Sequence, residues 1–309
     1  ICYFYSMIKQ PPFLKPGDLI GMVCPAGYMP LEKVQACIKT LEEWGYAVKT
    51  GSTVGGSSLN YFSGTDQERR DDLQAMLDDP QIKAILFGRG GYGTGRIIED
   101  LSFRKFKKHT KWIIGYSDIT VLHSHLYRNY KISSLHAPMA GAFQDGGDKN
   151  EFIDSLRSAI EGGKAHYCCP AHPFNRNGKG KGELVGGNLS LIAHLCGSSS
   201  DVKTRGRILF LEDVGEYTYN VDRMFYQLKR NGKLKGLKGL IIGGFTEMKD
   251  TERPFGQSAF ELIRDIISEY DYPVCFDFPV SHTDRNYALK IGGNYSLIVD
   301  ESGVGLKEN

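Results

Sequence analysis

Four stretches of this sequence hold residue types that do chemistry, and each follows an apolar run. The first is Gly115-Tyr116-Ser117-Asp118-Ile119-Thr120, after Lys111-Trp112-Ile113-Ile114 and before helix-compatible sequence through Tyr127. Strand, serine, helix is the order of a nucleophile elbow. Its tight turn lifts the hydroxyl to the end of a sheet, and the helix N-terminus behind it offers N–H groups to a developing oxyanion. The stretch departs from the GxSxG form, because Ile119 stands where the second glycine falls. A serine that merely N-caps the helix fits the same pattern.

The second stretch is Gly88-Arg89-Gly90-Gly91-Tyr92-Gly93, after the run 82–87. Glycine lets backbone approach a ligand closely, and its N–H groups suit an anion or oxyanion. A dinucleotide fingerprint competes, with glycines at 88, 90 and 93. It fails in detail: the run before it is not the first of its series, and Lys107-Lys108-His109 stand where the acidic ribose partner belongs. The third stretch places Glu212-Asp213 at the end of an apolar run, where a carboxylate can orient a histidine base or simply belong to a solvated loop. The fourth places His282 in Phe278-Pro279-Val280-Ser281-His282-Thr283-Asp284, a proline-containing loop. His123, His125 and His136 resemble a metal set, but residues two apart on a helix point to different sides. No metal and no cofactor are expected.

The elements that must position these residues alternate. Strand signals fall at 18–24, 46–49, 82–87 and 112–114, with helical spacing at 31–44 and 65–79. This βαβα rhythm predicts an α/β domain with a mostly parallel sheet covered by helices on both faces, over 13–165. Residues 144–148 are polar and 175–182 are basic and glycine-rich, so a domain boundary is expected there, with 166–182 as linker. The second domain, 183–309, has strand signals at 207–211, 239–243 and 296–299. Its helices are expected at 189–196, 222–229 and 258–269.

The chain has 309 residues, 41% hydrophobic and 24% charged, with a net charge of +2, which suits a globular protein with a sizeable core. That balance gives no reason to expect nucleic acid or an acidic membrane as partner. Seven cysteines, scattered and without a CxxC pair, fit free thiols in a reducing compartment. None stands at a strand-to-helix elbow, since Cys24 precedes Pro25 and Cys196 falls at a helix end; a cysteine amidase is therefore disfavoured. Residues 1–7 lack the basic and long apolar regions of a signal peptide, and Met7 is a candidate start. No run approaches the about 18–20 apolar residues of a transmembrane helix. A cytoplasmic protein is expected.

Together these segments resemble one family, the LD-carboxypeptidases, serine peptidases whose other branch contains the microcin self-immunity proteins. The resemblance runs from Lys15-Pro16-Gly17-Asp18 and Pro25-Ala26 through Arg89-Gly90-Gly91-Tyr92-Gly93, Gly115-Tyr116-Ser117-Asp118 and Gly186-Gly187-Asn188-Leu189. It continues through Leu211-Glu212-Asp213-Val214 and Asp222-Arg223 to Ser281-His282. It implies Ser117 as nucleophile, His282 as base and Glu212 as the residue that orients it. It also implies an oxyanion hole from the backbone N–H groups of Asp118 and Gly91, with Gly90 close by. A flavodoxin-like N-terminal domain, a smaller swivelling-type α/β C-terminal domain and a homodimer follow from the same likeness. The implied activity is removal of the terminal D-alanine from murein tetrapeptides in cell-wall recycling. The alternative is cleavage of a microcin-type peptide–nucleotide amide. Gly215-Glu216-Tyr217 with Asp222-Arg223 favours the carboxypeptidase branch. Arg89, Arg285 and Lys290 are candidates for the substrate's terminal carboxylate, with Arg89 and Gly90 in the substrate-binding turn. A non-catalytic binder of small molecules or peptides remains the reading from another class.

Overall fold

The computed structural model describes residues 8–143 and 150–309; the polar stretch 144–148 and the start at 1–7 lie outside the described residues. The chain divides into two compact units, Ile1–Gly163 with Ala288–Lys290, and Lys164–Tyr287 with Ile291–Asn309.

In the first unit strands and helices alternate: β1 (Leu19–Val23), α1 (Gln35–Glu43), β2 (Ala47–Thr50), α2 (Asp66–Asp78) and β3 (Ile82–Phe87), then α3 (Thr94–Ile97), α4 (Arg104–Lys108), β4 (Trp112–Gly115), α5 (Thr120–Tyr130), β5 (Ser134–His136) and α6 (Glu151–Glu161). The strands pair in parallel in the order β5-β4-β3-β1-β2. Strands buried on both faces read as near-continuous apolar runs, as IKAILF of β3 and WIIG of β4 do. Ile20, Met22, Leu86 and Ile114 form one core with Cys37 and Leu41 of α1 and Leu156 and Ile160 of α6. Each such buried aliphatic side chain contributes about 1.5–3 kcal/mol. Helix α2 starts where Thr65 and Glu68 cap each other's backbone N–H groups, a capping box. The strand order 2-1-3-4-5 is the flavodoxin-like one, whose ligand crevice lies at the carboxyl ends of the strands, where β1 and β3 part. Residues 25–27, 88–93 and 116–118 leave the sheet from those ends of β1, β3 and β4.

The second unit begins with β6 (His166–Cys169), β7 (Gly178–Asn188), α7 (Leu189–His194), β8 (Ile208–Val214) and α8 (Thr218–Arg230). It continues through β9 (Gly239–Thr246), α9 (Ala259–Ile266) and β10 (Val274–Cys275). Then β11 (Leu289–Ile291) joins the first sheet beside β5, and β12 (Asn294–Asp300) and β13 (Gly303–Glu308) close the chain. The second sheet has the order β10-β9-β8-β7-β12-β13-β6. It is parallel from β10 to β7 and antiparallel from β7 to β6.

The stretch 166–182, expected as a linker, is strand at both ends: it holds β6 and the beginning of β7, with a loop at 170–177 between them. Its glycines suggest a loop by composition, yet they alternate with Lys179 and Lys181 at the two-residue period of a strand. The neighbouring chain demands them, since a Cβ on Gly180 would lie 1.7 Å from the Lys238 carbonyl oxygen.

Candidate active site

Ser117 sits in the turn between β4 and α5 with φ +59°, a left-handed conformation that costs a non-glycine residue about 1–3 kcal/mol. Its side chain caps neither the 3-10 turn at Ser117–Ile119 nor α5, so the N-cap alternative falls away. The end of β4 is pinned from behind. The buried His123 ring lies 2.8 Å from the Gly115 carbonyl through Nε2 and 2.8 Å from the Ser134 hydroxyl through Nδ1. Burial lowers its pKa to about 4, so the neutral ring donates from Nε2 to the carbonyl and accepts at Nδ1. His125 packs on Phe103 and Tyr130, and His136 lies beside Tyr116. The three histidines thus serve different surroundings. Among the described residues, no group of three or more His, Cys, Asp or Glu could hold a metal ion.

The glycine turn lies directly against Ser117. A Cβ on Gly90 would fall 2.9 Å from Ser117 Cβ and 3.1 Å from its Oγ. Gly91 has φ +102°, and a Cβ there would fall 2.7 Å from the Tyr61 hydroxyl. At Gly93, with φ +148°, a Cβ would fall 2.7 Å from Arg69 Nη1. The protein's own atoms lie at the Cβ positions of these glycines, so internal packing alone requires them to lack side chains. Gly27 N–H donates to the Gly90 carbonyl at 3.1 Å. Thr94 N–H donates to Asp118 Oδ2 at 2.8 Å, so the Asp118 side chain ties the turn to the elbow. Burial pushes the Asp118 carboxyl up, opposed by Thr94, the Gly93 N–H and the Arg69 charge. Neither the Gly91 nor the Asp118 backbone N–H meets an acceptor among the described residues.

Arg69, which the sequence reading missed, is fully buried at the centre of this arrangement. It donates to the carbonyls of Gly93 (3.1 Å), Gly64 (3.3 Å) and Pro25, and pairs with Asp66. One cation thereby holds the loops after β1 and β3 together. Its signal was position: Arg69 shares the helical stripe of Leu73, Met76 and Leu77, where an apolar residue is expected. Of the candidates for a substrate carboxylate, Arg89 is exposed beside the turn and donates to the Tyr28 carbonyl at 3.2 Å. Lys290 is buried, donating to the Gly163 carbonyl at 2.8 Å with its ammonium over the Phe13 ring. Arg285 pairs with Asp277. The Cys24 thiol is buried, which pushes its pKa up to about 12, far from a thiolate nucleophile.

In the second unit, β8 carries Glu212 and Asp213 near its carboxyl end, where its register with β9 shifts. Glu212 is fully buried, and its Oε2 lies 2.6 Å from His282 Nδ1. A carboxylate only accepts, so Nδ1 carries the proton and Nε2 is the basic nitrogen. Burial alone would lower the His282 pKa; the Glu212 charge and hydrogen bond, with Asp213 and Glu247, outweigh it and raise it. Asp213 accepts from Asn188 Nδ2 (2.9 Å), Ser190 N–H (3.0 Å) and Val214 N–H (2.8 Å). It anchors the β7–α7 junction. Burial, with the neighbouring Glu212 charge, raises its pKa to about 6.

The loop bearing His282 lies across β9 because two glycines there permit it. Gly244 N–H donates to the Val280 carbonyl at 2.9 Å. A Cβ on Gly243 would fall 2.2 Å from that same oxygen, and one on Gly244 would fall 2.5 Å from Ser281 Cβ. These glycines were also missed, although a Gly-Gly pair inside an apolar strand signals close approach.

Residues 20–137 match the LD-carboxypeptidase N-terminal domain, and residues 181–297 the LD-carboxypeptidase C-terminal domain. The probable murein peptide carboxypeptidase of Bacillus subtilis is 33% identical over 95% of this chain and 92% of its own length. The structure of a muramoyltetrapeptide carboxypeptidase from Oxalobacter formigenes superposes with a TM-score of 0.84 at 28% identity, covering 94% of this chain and 98% of that one. The microcin C7 self immunity protein MccF superposes with the same TM-score of 0.84 at 21% identity, over 97% of this chain and 98% of its own, a likeness of fold.

Proposed function

The chain belongs to the LD-carboxypeptidase family, and on that premise we propose that it removes the terminal D-alanine from murein tetrapeptides with Ser117 as nucleophile. The observation that carries the reading is a buried carboxylate–histidine pair at 2.6 Å, Glu212 and His282, in the second unit of a chain whose first unit holds a strained serine elbow, φ +59° at Ser117. Relatives whose names mention murein peptides or muramoyltetrapeptides support the substrate class.

In the proposed cycle, Nε2 of His282 takes the Ser117 proton as Oγ attacks the carbonyl carbon between an L-centre and the terminal D-residue. The backbone N–H groups of Asp118 and Gly91 receive the oxyanion. Collapse of the tetrahedral intermediate breaks the C–N bond, and imidazolium protonates the departing amine. Water, deprotonated by His282, then hydrolyses the acyl-serine. Glu212 holds the imidazole in the Nδ1–H tautomer and stabilises the imidazolium. Arg89, exposed beside the glycine turn, is the group proposed to meet the substrate's terminal carboxylate. Among the described residues no helix is long and apolar enough to cross a membrane. The reading includes a cytoplasmic homodimer, which light scattering on the purified chain and cell fractionation would check.

The test is incubation with UDP-MurNAc-tetrapeptide and, separately, a peptide–nucleotide amide, with products read by mass spectrometry. Release of D-alanine by the wild type and not by Ser117→Ala is the expected result. Cleavage of the nucleotide conjugate alone would move the protein to the other branch of its family. Tight binding of the muropeptide without cleavage would make it a binding protein.

A further inference from the structure

We propose that Tyr61 is a further catalytic residue, whose phenol O–H donates to the oxygen that gains charge over the Gly91 turn. The proposal rests on the reading of Ser117 and the glycine turn given above. Tyr61 lies on the loop before α2, remote from Ser117 in sequence. Its hydroxyl nevertheless comes within 2.7 Å of the Cβ position on Gly91, closer than any other atom.

Two features separate it from an ordinary surface tyrosine. The first is that the side chain is 56% exposed, while the backbone that carries it is tied to the loop after β1. Tyr28 N–H donates to the Tyr61 carbonyl at 3.0 Å, Ser63 N–H donates to the Ala26 carbonyl at 3.1 Å, and Phe62 pairs with Gly27 as an isolated bridge. The ring stands edge-on to Phe62 with centroids 5.3 Å apart. Phe62 in turn lies under the guanidinium groups of Arg69 (4.7 Å) and Arg96 (5.5 Å), both of which bond Asp66. The second is that its hydroxyl, and not its ring, is the part that meets the glycine turn, between the Cβ position on Gly91 and the neighbouring Gly27. The edge contact with Phe62 accounts for the ring, and the hydroxyl beyond it reaches the glycine turn. A phenol offers one O–H donor, and a fixed donor near a developing oxyanion stabilises it without reorganising.

No bond to Tyr61 forms or breaks in this role. Its O–H···O hydrogen bond strengthens as the carbonyl becomes an alkoxide and relaxes when the C–N bond breaks. The effect therefore belongs to the chemical step and not to substrate binding.

Tyr61→Phe keeps the ring and its edge contact with Phe62 and removes only the hydroxyl. Wild type, Ser117→Ala and Tyr61→Phe are assayed side by side on UDP-MurNAc-tetrapeptide, following released D-alanine, with thermal melts of each. A central oxyanion donor contributes about 10²–10³ in rate; an exposed one on a loop should contribute about tenfold or more. The expected result is a kcat for Tyr61→Phe lower by at least about tenfold, with KM within about twofold and an unchanged melt. A kcat within about threefold of wild type, or a change confined to KM, overturns the assignment. An inactive wild type, or a Ser117→Ala variant with normal turnover, removes the reading of the site and this proposal with it. Loss of turnover in Ser117→Ala with a normal Tyr61→Phe overturns Tyr61 alone.

Discussion

Glu212→Gln probes the site through a single charge. The Glu212 carboxylate is fully buried, and its Oε2 lies 2.6 Å from His282 Nδ1. The amide keeps the shape and removes the charge. Two consequences follow. A glutamine can donate to Nδ1, which shifts the imidazole proton to Nε2 and abolishes the base. The equivalent carboxylate-to-amide change in a Ser-His-Asp triad lowers kcat by about 10⁴, so a loss of roughly 10³–10⁴ is expected here. The second consequence is electrostatic. Burial pulls the His282 pKa down, while Glu212 foremost, then Asp213 and Glu247, push it above its ordinary 6.5. The wild type then needs His282 neutral, so its kcat/KM falls as pH drops through a value above 6.5. With Glu212 neutralised, burial weighs more and the acid limb moves to lower pH. The assay is D-alanine release across about pH 5–9 for both proteins. The same linkage governs stability. A raised folded-state pKa contributes stability that is fully present below 6.5 and is lost as pH rises through the folded value. Glu212→Gln should therefore lower the melting temperature more at acid than at alkaline pH. Wild-type turnover in the variant, or an acid limb that stays in place, would refute the pairing of Glu212 with His282.

Three further outcomes are expected. Ser117→Gly should be more stable to denaturant than Ser117→Ala, with an unfolding free energy higher by about 1 kcal/mol, because φ +59° strains alanine and not glycine, and both should lack turnover; equal midpoints would mean that the strain is not there. Gly90→Ala places a methyl 2.9 Å from Ser117 Cβ, so kcat should fall by at least about 10² in a protein whose circular dichroism is unchanged, and a normal kcat would show that the turn gives way freely. Activity should survive iodoacetamide, since the Cys24 thiol at the end of β1 is buried with its pKa raised to about 12, whereas stoichiometric inactivation tracking alkylation of Cys24 would contradict that burial.

The local chemistry was legible in the sequence. An apolar run that stops at a glycine and a polar residue marks a strand end in a parallel sheet, and Ser117 and Gly91 follow such runs, whereas Glu212 closes an apolar run without a glycine and His282 follows a proline-containing loop. The βαβα alternation of the first unit was legible for the same reason, because parallel strands covered on both faces must be apolar throughout. Composition misled where glycine serves the backbone of a neighbouring strand. Residues 178–182 look like a linker and form half of β7, because Gly180 meets the Lys238 carbonyl. Short strands such as β5 and β11 carry too few residues to show a period.

What only the tertiary structure decided is which distant residues support the candidate site. Arg69 binds carbonyls of Pro25, Gly64 and Gly93; Tyr61 stands over Gly91; Gly243 and Gly244 admit the loop that brings His282 to Glu212. None of these relations has a sequence spacing. Each depends on how two segments far apart in the chain pack, and the side chain or its absence is chosen by the neighbour. The sequence by itself determines where strands end and which chemistry stands there, because period and burial are local properties; the partners of those residues are set by three-dimensional approach, which no local pattern encodes.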